Sequence, residues 1–175
     1  MQTKSEPRST CGLNSIKTMN IFFEEHQKLL SILLRHQVRF MLIGGYAVIY
    51  YGYARTTGDM DIWLEPGNTN LERLLSAFGE FGISTEDLEL LRKQGLNGKH
   101  AFHIGTKPKR IDFVTHINGV DFEDAIQQVN HLPVEDMQVP IIHYNHLIIN
   151  KMITGRAKDK GDIEELQRIH KYKKE

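Results

Sequence analysis

The stretch from Phe40 to Leu64 runs Phe40-Met41-Leu42-Ile43, Gly44-Gly45, Tyr46 through Tyr53, Arg55-Thr56-Thr57-Gly58 and Asp59-Met60-Asp61-Ile62-Trp63-Leu64. Its pattern predicts a strand, a glycine turn, a short helix and a second strand that presents acidic side chains. In an extended segment over 55–64, Arg55, Thr57, Asp59 and Asp61 share one face while Met60, Ile62 and Leu64 share the other. One face is charged and wet; the other belongs to the core.

Carboxylates two positions apart on a strand have Cα atoms roughly 6.5 to 7 Å apart, close enough to converge on one cation. Without a positive charge between them they raise each other's pKa, and a hard divalent ion such as Mg²⁺ (or Mn²⁺) answers that repulsion with oxygen ligands. Upstream, Gly44-Gly45 lets the backbone approach a bulky anion with no Cβ in the way. The helix that follows is expected to aim free N–H groups at that anion. The parts together describe a site for a metal-bound polyphosphate.

A chain of 175 residues is long enough to bury a sizeable core in one domain. With 22 basic and 22 acidic residues it lacks the charge excess of a protein that coats nucleic acid or anionic membrane. The single Cys11 sits in a polar segment and forms no internal disulfide, which points to a reducing compartment, with cytoplasm expected. The run between Arg39 and Arg55 is uncharged but is shorter than the roughly 20 residues of a spanning helix and is broken by glycines, so no membrane segment is expected.

Residues 1–18 offer little to bury and predict a poorly ordered tail. Asn20 can cap a helix from Ile21 to about Gln37 with Phe22, Leu29, Leu30, Leu33 and Leu34 inward. After Leu64, Pro66-Gly67-Asn68 makes a turn, and Asn68 or Thr69 can cap a helix that Gly79 to Gly82 interrupts. Thr85 opens another helical piece. Ala101–Ile104 and Arg110–Thr115 predict strands joined as a hairpin. On the second, Asp112 stands between Ile111 and Phe113; if that strand lies beside the one carrying Asp59 and Asp61, roughly 4.8 Å away, a third carboxylate joins them. A short helix over 121–129, extended chain around 131–140, and helices over 144–154 and 158–172 complete the reading. The expected division is a tail over 1–18, a core over 19–134 and a small helical part over 135–175.

At Ile43-Gly44-Gly45, Asp59-Met60-Asp61-Ile62 and Ile111-Asp112-Phe113 the sequence resembles the nucleotidyltransferase superfamily whose best-known member is DNA polymerase beta. More narrowly, Gly44-Gly45-Tyr46-Ala47, Gly52, Arg55-x-Thr57-x-Asp59-x-Asp61 and Lys151 with Gly155-Arg156-x-Lys158-Asp159-x-x-Asp162 look like the minimal bacterial members, including abortive-infection toxins. The resemblance implies an α+β fold: a mixed β-sheet with helices on one side and a small C-terminal helical appendage. It implies transfer of a nucleoside monophosphate from an NTP such as ATP to an acceptor hydroxyl, with release of pyrophosphate. Asp59, Asp61 and Asp112 would hold the metal ions, Asp112 also drawing the proton from the attacking hydroxyl, and Gly44 and Gly45 would cradle the phosphates. The acceptor, whether small molecule, RNA or protein, is not named by these motifs.

Other residues carry two readings each. Arg55 and Thr57 either touch the nucleotide or form a salt bridge and a β-surface. Lys151 either binds phosphate or runs its stem along the core and lifts its amine to water. Asp159 and Asp162 are expected as first-turn acids of the last helix, His143 and His146 as surface residues in preference to zinc ligands, and the tyrosines as a mixture of core and rim. Two further readings stand beside the main one: a non-catalytic nucleotide- or partner-binding module, and a reading that keeps the chemistry but makes the chain the toxin or antidote of a toxin–antitoxin pair with a cognate partner.

Overall fold

Strand pairing places every acidic candidate. The computed structural model describes residues 22–172. β1 (Phe40–Ile43) and β2 (Met60–Leu64) run antiparallel, Phe40 opposite Leu64 and Ile43 opposite Asp61. β4 (Ile111–Val114) lies parallel to β2 on its other side, with Asp61 beside Asp112, and β3 (Ala101–Ile104) closes that edge as the antiparallel hairpin partner of β4. On the far side of β1, β6 (Met137–Ile141) pairs in parallel and β5 (Asn130–Val134) pairs antiparallel with β6. The order is β3-β4-β2-β1-β6-β5, a mixed sheet.

Because side chains alternate, partners in register share a face. Phe40, Leu42, Met60, Ile62, Leu64, Ile111 and Phe113 form one apolar face and are all buried. α3 (Asn68–Phe81) brings Phe78 edge-on to Phe113 at 5.2 Å, and Phe102 stacks on Phe113 at 5.1 Å. α1 (Glu24–Arg35) lies against α3 with Leu29, Leu30 and Leu33 inward, so two amphipathic helices cover this face. The opposite face is divided. At one end Trp63 meets Phe122 of α5 (Phe122–Ile126) edge-on at 5.1 Å; at the other end stand Asp61 and Asp112.

The remaining helices are set by their ends. α2 (Gly44–Tyr50) begins on Gly44 itself, whose φ of +62° bends the chain directly out of β1. α4 (Thr85–Gln94) is capped by Ser84, whose hydroxyl accepts the Asp87 N–H. α6 (Tyr144–Thr154) stops at Gly155, φ +65°, and α7 (Ala157–Tyr172) folds back against it. No helix among the described residues is long and apolar enough to cross a membrane.

Several expectations change in detail. The second strand starts at Met60, not Arg55, leaving 53–58 as irregular chain over the pocket. Gly79 lies inside α3, because burial of Phe78 and packing of Phe81 against the core outweigh its weak helix propensity; the helix stops at Gly82, φ +104°. The division at 134/135 falls at the tip of the β5–β6 hairpin, and the part beyond it is not purely helical: β6 belongs to the sheet, where Val139 and Ile141 are fully buried. The expected tail over 1–18 and the Asn20 cap lie outside the described residues.

Phe113 sits at the meeting point of sheet and helices with no exposed surface. Phe113→Ala should lower unfolding free energy by about 3–5 kcal/mol, read from urea denaturation; a loss under about 1 kcal/mol would mean the aromatic cluster is not the core's centre.

Candidate active site

A pocket of about 510 Å³ opens on the divided face, and Gly44, Gly45, Arg55, Thr57, Asp59, Asp61, Asp112 and Lys151 all line it. The eight residues singled out from sequence are therefore brought together. They come from the β1–α2 turn, the irregular 53–58 segment, the bend at Asp59 before β2, β2 itself, β4 and α6.

The glycine pair is pressed against the acids. A Cβ on Gly44 would lie 2.2 Å from Asp61 Oδ2, and one on Gly45 would lie 2.4 Å from Thr57 Oγ1. Glycine at both places is thus a steric requirement for seating Asp61 and Thr57. The Gly45 N–H donates to the Asp61 carboxylate, so this donor serves an acid of the chain itself. Thr57 Oγ1 donates to the Asp59 carbonyl at 3.3 Å, which ties the segment before β2 to the start of the strand.

Asp61 is perturbed by its surroundings. Burial, then the neighbouring Asp112 carboxylate and more weakly Asp59, push its pKa up to about 6, against the opposing Gly45 hydrogen bond and the weaker pull of the Lys151 charge. Arg110 pairs with Asp59 and Asp112, whereas among the described residues Asp61 makes no direct ion pair and feels only the more distant Lys151 charge. Arg110 places Nη2 2.9 Å and Nε 3.1 Å from Asp112 Oδ2, and Nη2 3.5 Å from Asp59 Oδ2. Arg110 is not among the residues singled out from sequence; its spacing of two from Asp112 signals a shared face if the extended run begins at Arg110, but its approach to Asp59 depends on the register between strands.

Lys151 does not extend into the pocket as a free cation. Its ammonium donates to Asp159 Oδ1 and Asp162 Oδ2, both at 2.7 Å, with 7% of the side chain exposed. Arg55 reaches the same Asp162, Nε 3.0 Å from Oδ1 and Nη2 3.2 Å from Oδ2. Asp159 lies in the first turn of α7 as expected while Asp162 falls beyond it, and both are buried partners in a four-residue ionic cluster. That cluster joins α6 and α7 to the segment beside the acids. Arg156 and Lys158 line the same pocket from exposed positions.

Tyr46 and Tyr51 hold the frame. Tyr46 is fully buried and stacks on Phe22 at 4.3 Å; its hydroxyl lies 3.2 Å from Nδ1 of the buried His26, whose Nε2–H donates to the Lys109 carbonyl at 3.1 Å. This chain of contacts links α1, α2 and the residue preceding Arg110. Tyr51 donates to the Ile142 carbonyl at 2.7 Å. His143 caps α6 by accepting the Asn145 N–H, and its ring centroid lies 6.0 Å from that of His146.

Asp59, Asp61 and Asp112 are hard oxygen donors, and among the described residues Asp61 has no directly paired cation, so the donor set suits a divalent metal ion of the Mg²⁺ class. Among the described residues, however, no three His, Cys, Asp or Glu side chains are gathered as a ready-made ion cage. Arg110 stands between two of the acids.

Residues 17–172 match the family described as nucleotidyltransferase of unknown function (DUF6036). Among solved structures, a Thermotoga maritima protein assigned to the nucleotidyltransferases superposes with a TM-score of 0.51 at 14% identity, covering 81% of this chain and 89% of that one. At such identity the likeness concerns the fold. The lincomycin-bound lincosamide antibiotic adenylyltransferase LnuA gives a TM-score of 0.46 at 16% identity, over 85% of this chain and 98% of its own. No curated protein sequence matches this chain.

Two outcomes follow from the charges. In chelator-containing buffer, Asp61 keeps its proton in the folded state up to about pH 6 while the unfolded chain releases it near pH 4, so its contribution makes stability fall as pH rises through that window. Asp61→Asn should remove this dependence and exceed the parent at pH 7 by at most about 3 kcal/mol; urea melts at several pH values decide it, and equal stability at pH 7 would refute the assignment. Lys151→Met leaves Asp159 without its cation and should cost about 3–5 kcal/mol, measured the same way.

Proposed function

We propose, on the premise that this chain belongs to the DUF6036 family of nucleotidyltransferases, that it moves a nucleoside monophosphate from an NTP to an acceptor hydroxyl and releases pyrophosphate, in a reaction that depends on Mg²⁺. One observation carries the reading: Asp61 and Asp112 lie side by side on adjacent parallel strands, Asp59 stands two residues before Asp61, and all three share a pocket with the Gly44-Gly45 turn.

Asp59, Asp61 and Asp112 would hold the metal. When bound, the metal offsets negative charge on the entering and leaving oxygens, the main demand of displacement at phosphorus. The acceptor oxygen forms a bond to the α-phosphorus, the bond from that phosphorus to the bridging oxygen breaks, and pyrophosphate departs with the electron pair. Asp112 takes the acceptor's proton. Gly44 and Gly45 would border the phosphates while seating the Asp61 and Thr57 side chains against the turn, and Thr57 steadies the chain at Asp59.

Arg55 contributes a cation on the pocket wall, fixed in direction by Asp162. Lys151 acts here as a positioning residue: by pairing with Asp162 it holds the carboxylate that orients Arg55. Arg156 and Lys158 supply positive charge at the pocket's exposed side, suited to the outer phosphates or to an anionic acceptor.

The test is transfer of label from an α-phosphate-labelled NTP over a panel of small-molecule, RNA and protein acceptors. Asp59→Ala combined with Asp61→Ala should reduce transfer by at least about 100-fold, with the fold intact by circular dichroism. Unchanged transfer would reject the assigned roles, and NTP binding without turnover over the whole panel would leave a nucleotide-binding module.

A further inference from the structure

We propose that Arg110 is a resident counter-ion: it holds Asp59 and Asp112 in the metal-free protein, yields them when a divalent cation enters, and so limits how tightly metal binds without nucleotide. The inference rests on the metal-dependent reading above and concerns a residue that reading does not use.

Strand geometry puts the guanidinium there. Met60 is registered beside Ile111 and Asp61 beside Asp112, and the Met60 N–H donates to the Arg110 carbonyl at 2.9 Å. Arg110 is therefore anchored one step before β4, level with Asp59, and alternation turns its side chain to the face that carries the acids. Its two donors meet one oxygen of Asp112 and approach one oxygen of Asp59. Both acids are hard oxygen donors that a divalent ion needs, so guanidinium and metal compete for the same lone pairs.

Release is built in as well. About a third of the Arg110 side chain is exposed, 33%, against 7% for Lys151, so Arg110 can leave its partners without stranding a charge in the interior. It also borders a second, adjoining cavity of about 350 Å³ shared with Asp61, Asp112 and Arg156, which gives the departing arm space. Once freed, the guanidinium lies at the pocket wall as a fork-shaped donor, matched to phosphate oxygens. Metal and nucleotide should then bind with positive coupling, since each favours the same rearranged arm.

The experiment measures Mn²⁺ affinity by titration calorimetry for the parent, Arg110→Met, Arg110→Lys and Asp61→Asn, with and without a nonhydrolysable NTP. Arg110→Met should bind Mn²⁺ about tenfold tighter than the parent when nucleotide is absent, and the gain should shrink when nucleotide is present. Arg110→Lys should fall between the two, and it carries the test if Arg110→Met does not fold. Equal or weaker binding in the Arg110 variants, with binding lost in Asp61→Asn, overturns the counter-ion role and leaves the metal reading standing. No Mn²⁺ bound by any of the proteins, even with NTP, overturns both.

Discussion

Repulsion among three carboxylates on two neighbouring strands is the constraint to which most of this site is an answer. The parallel register of β2 and β4 forces Asp61 and Asp112 side by side, and nothing in the sheet itself separates their charges. The surroundings supply what is missing in three forms: an N–H from Gly45, a guanidinium from Arg110, and a proton on Asp61 in the weakly acidic range. Gly44 contributes by omission, since any side chain there would occupy the space Asp61 fills. A divalent ion would replace several of these partial remedies with one charge of the right sign.

The same electrostatic logic reaches the C-terminal helices at a deeper level. Lys151, Asp159, Asp162 and Arg55 carry two charges of each sign in a cluster that is largely removed from water. Such clusters add little net stability compared with apolar packing of the same volume, but they tolerate the loss of no member. Here the members lie on α6, α7 and the irregular segment before β2, so the cluster sets where the helical pair stands relative to the acids. An apolar contact would hold those helices equally firmly but would leave Arg55 without a direction.

Much of this was legible in local pattern. Strand alternation alone placed Asp59 and Asp61 on the wet face and turned Asp112 toward the same side, because a period of two leaves each strand residue only two options. The Gly44-Gly45 turn and the end of α6 at Gly155 were equally readable, since positive φ favours one residue type. What escaped was non-local. Arg55 and Asp162 are 107 positions apart, and Asp159 satisfies a local rule for first-turn acids that conceals its burial. Arg110 escaped because its pairing with Asp59 depends on the register between strands. The tyrosines read as a mixture of core and rim, and only the packing of α2 on the sheet shows that Tyr46 is the fully buried one while Tyr51 is half-buried.

The position of β6 has a consequence for biosynthesis. β1, in the middle of the sheet, pairs with β2 on one side and with a strand almost 100 residues later on the other, Leu42 being matched to Ile141. A nascent chain that has emerged only as far as β4 therefore displays an open hydrogen-bonding edge on its central strand, next to Met41 and Leu42, which are fully buried in the finished protein. The half that bears all three acids is thus translated first yet stays open to association with other chains until the last two helices are nearly due. Protection of that edge during synthesis is a requirement created by the topology itself.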